Sequence, residues 1–158
     1  MKSLKLVIVI VGTILISGCK EEVKLTELER FNLDSDVIDN WIGINGITDT
    51  LHHPTKIVYT INKKGTGTIK PRLTDKVVVT YEGRLLESGK VFDSNTELSI
   101  ELGSTILGWQ IMVQEMRDGD EFTIYLQSFY GYADEGSGDI IPPNTVIVFD
   151  IKLVRIEG

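Results

Sequence analysis

Aromatic side chains stand close to turn residues in the second half of this chain: Tyr81, Phe92, Trp109, Tyr130, Tyr132 and Phe149. Rings of this size line apolar pockets, and a phenol or indole adds one polar tip. Other chemistries leave no trace: there is no glycine-rich phosphate loop, no paired-histidine zinc spacing and no nucleophile elbow. His52 and His53 are adjacent, just before Pro54. Neighbouring residues point apart in helix and strand, which suits a metal site poorly, so both read as linker. The one cysteine, Cys19, lies far from the aromatics in sequence. Neither a cofactor nor a metal is expected.

The elements that must position these rings are mostly strands. Ile57 to Ile61, Lys76 to Glu82 and Leu98 to Leu102 alternate apolar and polar residues, and turn signals such as Gly65-Thr66-Gly67 separate them. In the second, Val77, Val79 and Tyr81 share a face. Phe122, Ile124 and Leu126 share a face of the next strand, and Ile147, Phe149, Ile151 and Leu153 one of the last. One stretch breaks the pattern. Ile106, Trp109, Val113 and Met116 recur at intervals of three and four, which predicts an amphipathic helix of about three turns. Short strands with a single helix to cover the apolar face make an α+β fold, an antiparallel sheet with one short helix against it.

The first 55 residues read differently. Lys2 and Lys5 precede an uncharged apolar run from Leu6 to Ile16, shorter than the roughly 20 residues a spanning helix needs, so residues 1–18 read as a signal peptide. The segment Ile16-Ser17-Gly18-Cys19 resembles the lipobox of bacterial lipoproteins. That resemblance implies cleavage before Cys19 and a diacylglyceryl group on its sulfur, and a doubly or triply acylated residue anchors stably to a membrane. Residues 19–55 then form a lipidated tether, and 56–158 the folded domain. Lys20-Glu21-Glu22 resembles an export signal of some Gram-negative lineages, or is a solvated linker. Within Asp34 to Ile44, Val37, Ile38, Trp41 and Ile42 fall at helical spacing behind the N-cap candidates Asp34 and Ser35, which predicts a short helix docked on the domain.

At 42% hydrophobic and 25% charged residues the composition is that of a globular protein. Loss of Lys2 and Lys5 leaves 14 basic against 23 acidic side chains, a balance of −9. So acidic a chain, without a basic patch, is not expected to bind nucleic acid.

Read in order, Val77 to Gly83, Gly89-Lys90-Val91-Phe92-Asp93-Ser94, Gly108-Trp109, Tyr130-Gly131-Tyr132, Ile140-Ile141-Pro142-Pro143-Asn144 and Val148-Phe149-Asp150 closely resemble the FKBP family of peptidyl-prolyl cis/trans isomerases. The resemblance covers about Lys56 to Gly158. It implies a twisted antiparallel sheet wrapped around the short helix, with a proline pocket between them. Trp109 matches the pocket floor, Tyr81, Phe92 and Phe149 its walls, and Asp93 the acid beside Tyr81. Tyr132 matches a rim phenol that bonds a substrate carbonyl, Ile106 an N–H donor to another, and Ile141 an apolar residue of the overhanging loop. Leu98 and Thr105 stand where many members have an aromatic and a valine, and the segment from Gly103 to Trp109 is about two residues short, which roughens one wall. Tyr130 is assigned to structure.

The implied partners are proline-containing polypeptides, with macrolide ligands a further property of the same pocket. The implied location is the bacterial cell envelope, through the lipid anchor. Two functions fit such a site: an isomerase for exported or surface proteins, and a non-catalytic or chaperone-like module that holds proline segments. The co-occurrence of Trp109, Phe92, Asp93 and Tyr132 favours the enzyme.

Overall fold

The computed structural model describes residues 25–157, so the segment 1–18 expected to be a signal peptide and the expected lipidation site Cys19 lie outside the described residues. The first element, α1, spans Glu27–Ile44. A capping box starts it: Thr26 Oγ1 accepts from the Glu29 N–H at 3.2 Å, and the Glu29 carboxylate accepts from the Thr26 N–H at 2.8 Å. Glu27 and Glu29 also place negative charge at the positive end of the helix dipole. The helix therefore begins well before the expected Asp34–Ile44 segment, and Asp34 and Ser35 are interior residues rather than caps. Gly46, at φ 66, takes the left-handed conformation just past its end.

Among the described residues six strands form one antiparallel sheet: β1 (Leu51–His52), β2 (Val58–Lys63), β3 (Lys76–Leu85), β4 (Val91–Glu101), β5 (Glu121–Leu126) and β6 (Ile147–Glu157), in the order β1-β2-β5-β6-β3-β4. His52 is thus a sheet residue opposite Val58, not linker; an exposed strand of two residues is too short to show any periodicity. β4 begins earlier than Leu98. Its residues Asp93 to Glu97 are exposed and register shifts interrupt its pairing with β3, so alternation is lost over that half.

The two faces of the sheet bury separate cores. On one, Val77, Val79, Ile124, Ile147, Ile151 and Leu153 pack against α2 (Leu107–Val113), which contributes Trp109, Met112 and Val113. α2 makes about two turns rather than three; Gln114 and Glu115 form a turn, and Met116 still reaches the core from beyond it. Close approach of helix and sheet depends on Gly108, where a Cβ would lie 2.6 Å from both Leu126 Cδ atoms. On the other face Ile38 and Ile42 of α1 cover Val58, Tyr125 and Val148. Burial of those two isoleucines stabilises the docked helix by about 1.5–3 kcal/mol each. Trp41 adds a ring contact to Tyr125 at 5.8 Å.

Candidate active site

The rings meet above α2. Ile106 caps that helix in an extended conformation (φ −62, ψ 152), and its carbonyl accepts from the N–H groups of Trp109 at 3.0 Å and Gln110 at 3.1 Å. Its own N–H has no hydrogen-bond partner among the described residues. The turn delivers Trp109 to the sheet, where its ring meets Tyr81 edge-on at 4.9 Å and Phe149 at 5.3 Å. Phe92 stands perpendicular to Phe149 at 5.4 Å and to Tyr132 at 6.4 Å. Edge-to-face rings at these separations stabilise one another beyond their buried area. Trp109 is 5% exposed and its indole N–H has no partner among the described residues.

One polar pair sits in this apolar frame. The Tyr81 hydroxyl donates to Asp93 Oδ2 at 2.6 Å, bridging β3 and β4. Burial, then the bond to Asp93 and the charge of that carboxylate, push the Tyr81 phenol well above its usual range. Burial, then the charge of Asp93, also raises Tyr132. Both phenols are therefore neutral donors at neutral pH. The Tyr132 hydroxyl has no partner among the described residues.

Phe92, Trp109, Tyr81, Phe149, Asp93, Tyr132 and Ile106 thus surround one place. Ile141 is 4% exposed and packs in the same core, held by a pair of backbone bonds to Ser137. Leu98, opposite Val79, packs against that core from β4. At Thr105 the hydroxyl donates to the Leu102 carbonyl at 2.8 Å, and the carbonyl accepts from Gln110 Nε2 at 2.7 Å. Tyr130 is structural, its hydroxyl donating to the Thr55 carbonyl at 2.9 Å.

Gly83 ends the Val77-to-Gly83 motif, yet motif reading assigns it no role. A Cβ there would lie 2.6 Å from atoms of both Phe149 and Phe92, so the two walls meet only because that strand position is bare. A glycine inside a strand is the available signal, since it marks close approach of another group. An open groove of about 710 Å³ is lined by the polar residues Thr80, Glu82, Asp150 and Lys152 together with Tyr81, Phe122 and Ile151, so Tyr81 borders it as well as the other rings.

Comparison with known proteins gives a consistent result. A family model described as FKBP-type peptidyl-prolyl cis-trans isomerase matches residues 67–154. Over 102 residues the chain is 43% identical to a probable FKBP-type peptidyl-prolyl cis-trans isomerase, FkpA, of Neisseria meningitidis serogroup B, which covers 62% of this chain and 37% of that protein. It is 34% identical over 150 residues to FkpA of Aeromonas hydrophila, covering 86% and 54%. The chain therefore spans about a third to a half of the length of these curated relatives. A crystal structure of a peptidyl-prolyl cis-trans isomerase from Pseudomonas syringae superposes with a TM-score of 0.69 at 28% identity, over 85% of this chain and 98% of that one. FkpA from Escherichia coli shares the fold, with a TM-score of 0.68 at 24% identity over 85% and 74%.

Proposed function

The chain belongs to the FKBP-type peptidyl-prolyl cis-trans isomerase family, and from that premise we propose that it isomerises X–Pro bonds in exported or surface proteins and so assists their folding. The observation that carries this reading is the convergence of Tyr81, Phe92, Trp109 and Phe149 on one place, with neutral donors at its edge.

Rotation about an X–Pro bond must lose amide resonance, over a barrier of about 18–20 kcal/mol, while the two isomers differ by only about 0.5–1 kcal/mol. No covalent bond breaks. A planar amide is more dipolar than a twisted one, so transfer from water into an apolar pocket penalises the ground state more than the transition state. Trp109 forms the floor of that pocket and the other three rings its walls. The Ile106 N–H and the Tyr132 O–H hold carbonyls on either side of the proline, fixing one end of the bond while the other turns. Asp93 orients Tyr81 through their hydrogen bond, and Ile141 and Leu98 complete the apolar surround. A macrolide ligand would compete for the same floor.

A protease-coupled assay on a short X–Pro peptide tests this. Since no proton transfer limits the rate and both phenols are raised, kcat/KM is expected to be flat from about pH 6 to 8, with any phenol limb above the ordinary value of about 10. His53 is engaged with Thr55 through Nδ1 and lies apart from the rings, so His52→Ala with His53→Ala leaves the rate unchanged. A peptide that binds without turnover would identify a holding module. A bell-shaped profile centred near neutrality would overturn the mechanism.

The membrane partner in this reading is reached through Cys19. Support comes from the Ile16-Ser17-Gly18-Cys19 segment and from the short interval between Cys19 and the cap of α1 at Thr26. No helix among the described residues is long and apolar enough to cross a membrane. Cys19→Ser is expected to move the domain from the membrane fraction to the soluble fraction or to leave an unprocessed precursor, as fractionation and mass spectrometry would show. Normal processing and retention would refute the anchor.

A further inference from the structure

We infer that α1 is a positioning element for the pocket rim, acting through the buried carboxylate of Asp34. The inference rests on the reading of Tyr132 as the group that holds a substrate carbonyl. α1 lies outside the matched region 67–154, yet its middle carries a carboxylate that is only 2% exposed. Asp34 Oδ2 accepts from the Ser128 N–H at 2.8 Å and from the Ser128 hydroxyl. The nearest cation, Arg30, is 3.9 Å from Oδ1. A buried carboxylate is costly unless hydrogen bonds compensate it, so its partner here is specific: the first residue of the 3₁₀ turn Ser128–Tyr130.

Ser128 passes that constraint on. Its carbonyl accepts from the N–H groups of Gly131 and Ala133, both at 2.9 Å, and these are the two residues that flank Tyr132. Ala133 has φ 48, a conformation that residues with a Cβ rarely adopt and that persists only where the surroundings hold it. Its carbonyl accepts in turn from the N–H of Asn144, at φ 57, which ties the rim to the loop beyond Ile141. The Tyr130 ring is held from α1 as well, by Phe31 at 5.8 Å. The Asp34 carboxylate therefore sets the Ser128 carbonyl, and that carbonyl sets the backbone on both sides of Tyr132. A helix whose only role was to cover the outer face through Ile38 and Ile42 would leave the rim indifferent to Asp34.

The test is a double-mutant cycle on the full chain with Asp34→Ala and Tyr132→Phe, read by steady-state isomerisation of an X–Pro peptide and by amide exchange at Gly131 and Ala133. Asp34→Ala is expected to raise KM about fivefold with kcat within about twofold, and to add nothing once Tyr132 is phenylalanine, because residues acting as a unit are not additive. Exchange at Gly131 and Ala133 quickens while β3 and β6 amides are unchanged. Asp34→Asn, whose side-chain oxygen still accepts from Ser128, recovers most of the affinity. Independent losses in the double variant, or an Asp34→Ala protein with unaltered KM and exchange, would overturn the inference. Should Asp34→Ala fail to fold, Ser128→Ala keeps the N–H bond, loses the hydroxyl bond and enters the same cycle with the same two outcomes. If the wild-type chain turns over no peptide, the functional reading fails, and exchange at Gly131 and Ala133 still decides whether Asp34 holds the turn.

Discussion

Trp109→Ala is expected to lower kcat/KM about 70-fold: some 100 Å² of apolar contact with a prolyl ring, at about 25 cal/mol per Å², is roughly 2.5 kcal/mol of transition-state stabilisation. The same change opens a cavity where Trp109 meets Tyr81 and Phe149, and core truncations of this size cost about 3–5 kcal/mol of stability. A domain stable by about 5–15 kcal/mol keeps a folded majority after such a loss only if it starts above the lower limit. Trp109→Phe separates the two effects. It keeps an aromatic floor and removes the indole N–H that has no partner among the described residues, a group whose burial is itself unfavourable, so its stability loss is smaller than the lost area suggests. Trp41, the other of the two tryptophans, sits against Tyr125 on the opposite face and reports by its emission whether α1 remains docked. Denaturation followed through Trp41 and kinetics on both variants give the two numbers independently. A folded Trp109→Ala protein with unchanged kcat/KM would remove Trp109 from the site.

The strands that carry the pocket walls were legible because each presents one face to one core. Val77, Val79 and Tyr81, then Phe122, Ile124 and Leu126, then Ile147, Phe149, Ile151 and Leu153 all join the cluster under α2, as period-two alternation requires. What escaped were features that leave no alternation or apolar spacing to read. The start of α1 depends on a reciprocal bond between Thr26 and Glu29, yet the apolar spacing is clear only later in the segment, where Ile38 and Ile42 dock. β4 hides its first half because exposed residues on both faces and a shifted register erase alternation. The ordered aromatic motifs name rings that the fold brings into contact, whereas the bond of the Thr105 hydroxyl to Leu102 belongs to the local turn, and residue type alone does not show that. Asp34 read as a helix cap because an acidic residue before an apolar run usually is one; its burial follows from where Ser128 arrives from the far end of β5.

Gly83→Ala carries the other large effect, from the addition of a single methyl group. In β3 Gly83 lies opposite Phe149 of β6 and Asp93 of β4, so its missing side chain is the space into which Phe149 and Phe92 close. An alanine Cβ would approach atoms of both rings to 2.6 Å, and ring carbons have no flexible end that could swing away cheaply. The rings must separate, and Phe92 then shifts relative to Tyr132 and Phe149 to Trp109. Overpacking of this kind costs about 1–3 kcal/mol of stability. A displacement of about 1 Å in groups that position a substrate costs about 10²-fold in rate, so kcat/KM is expected to fall by roughly that factor in a protein that still folds. Gly43→Ala is the matched control: it lies in α1 with nothing within 4 Å of a new Cβ, and removing a helical glycine there should stabilise by about 0.5–1 kcal/mol while activity stays unchanged. Thermal unfolding and peptide kinetics on the two alanine variants make the comparison. If Gly83→Ala behaves like Gly43→Ala, the rings do not meet as described and the walls of the pocket lie elsewhere; if it unfolds outright, Phe92→Leu in the Gly83→Ala background removes the clash with Phe92, leaves that with Phe149, and is expected to restore folding in part but not rate.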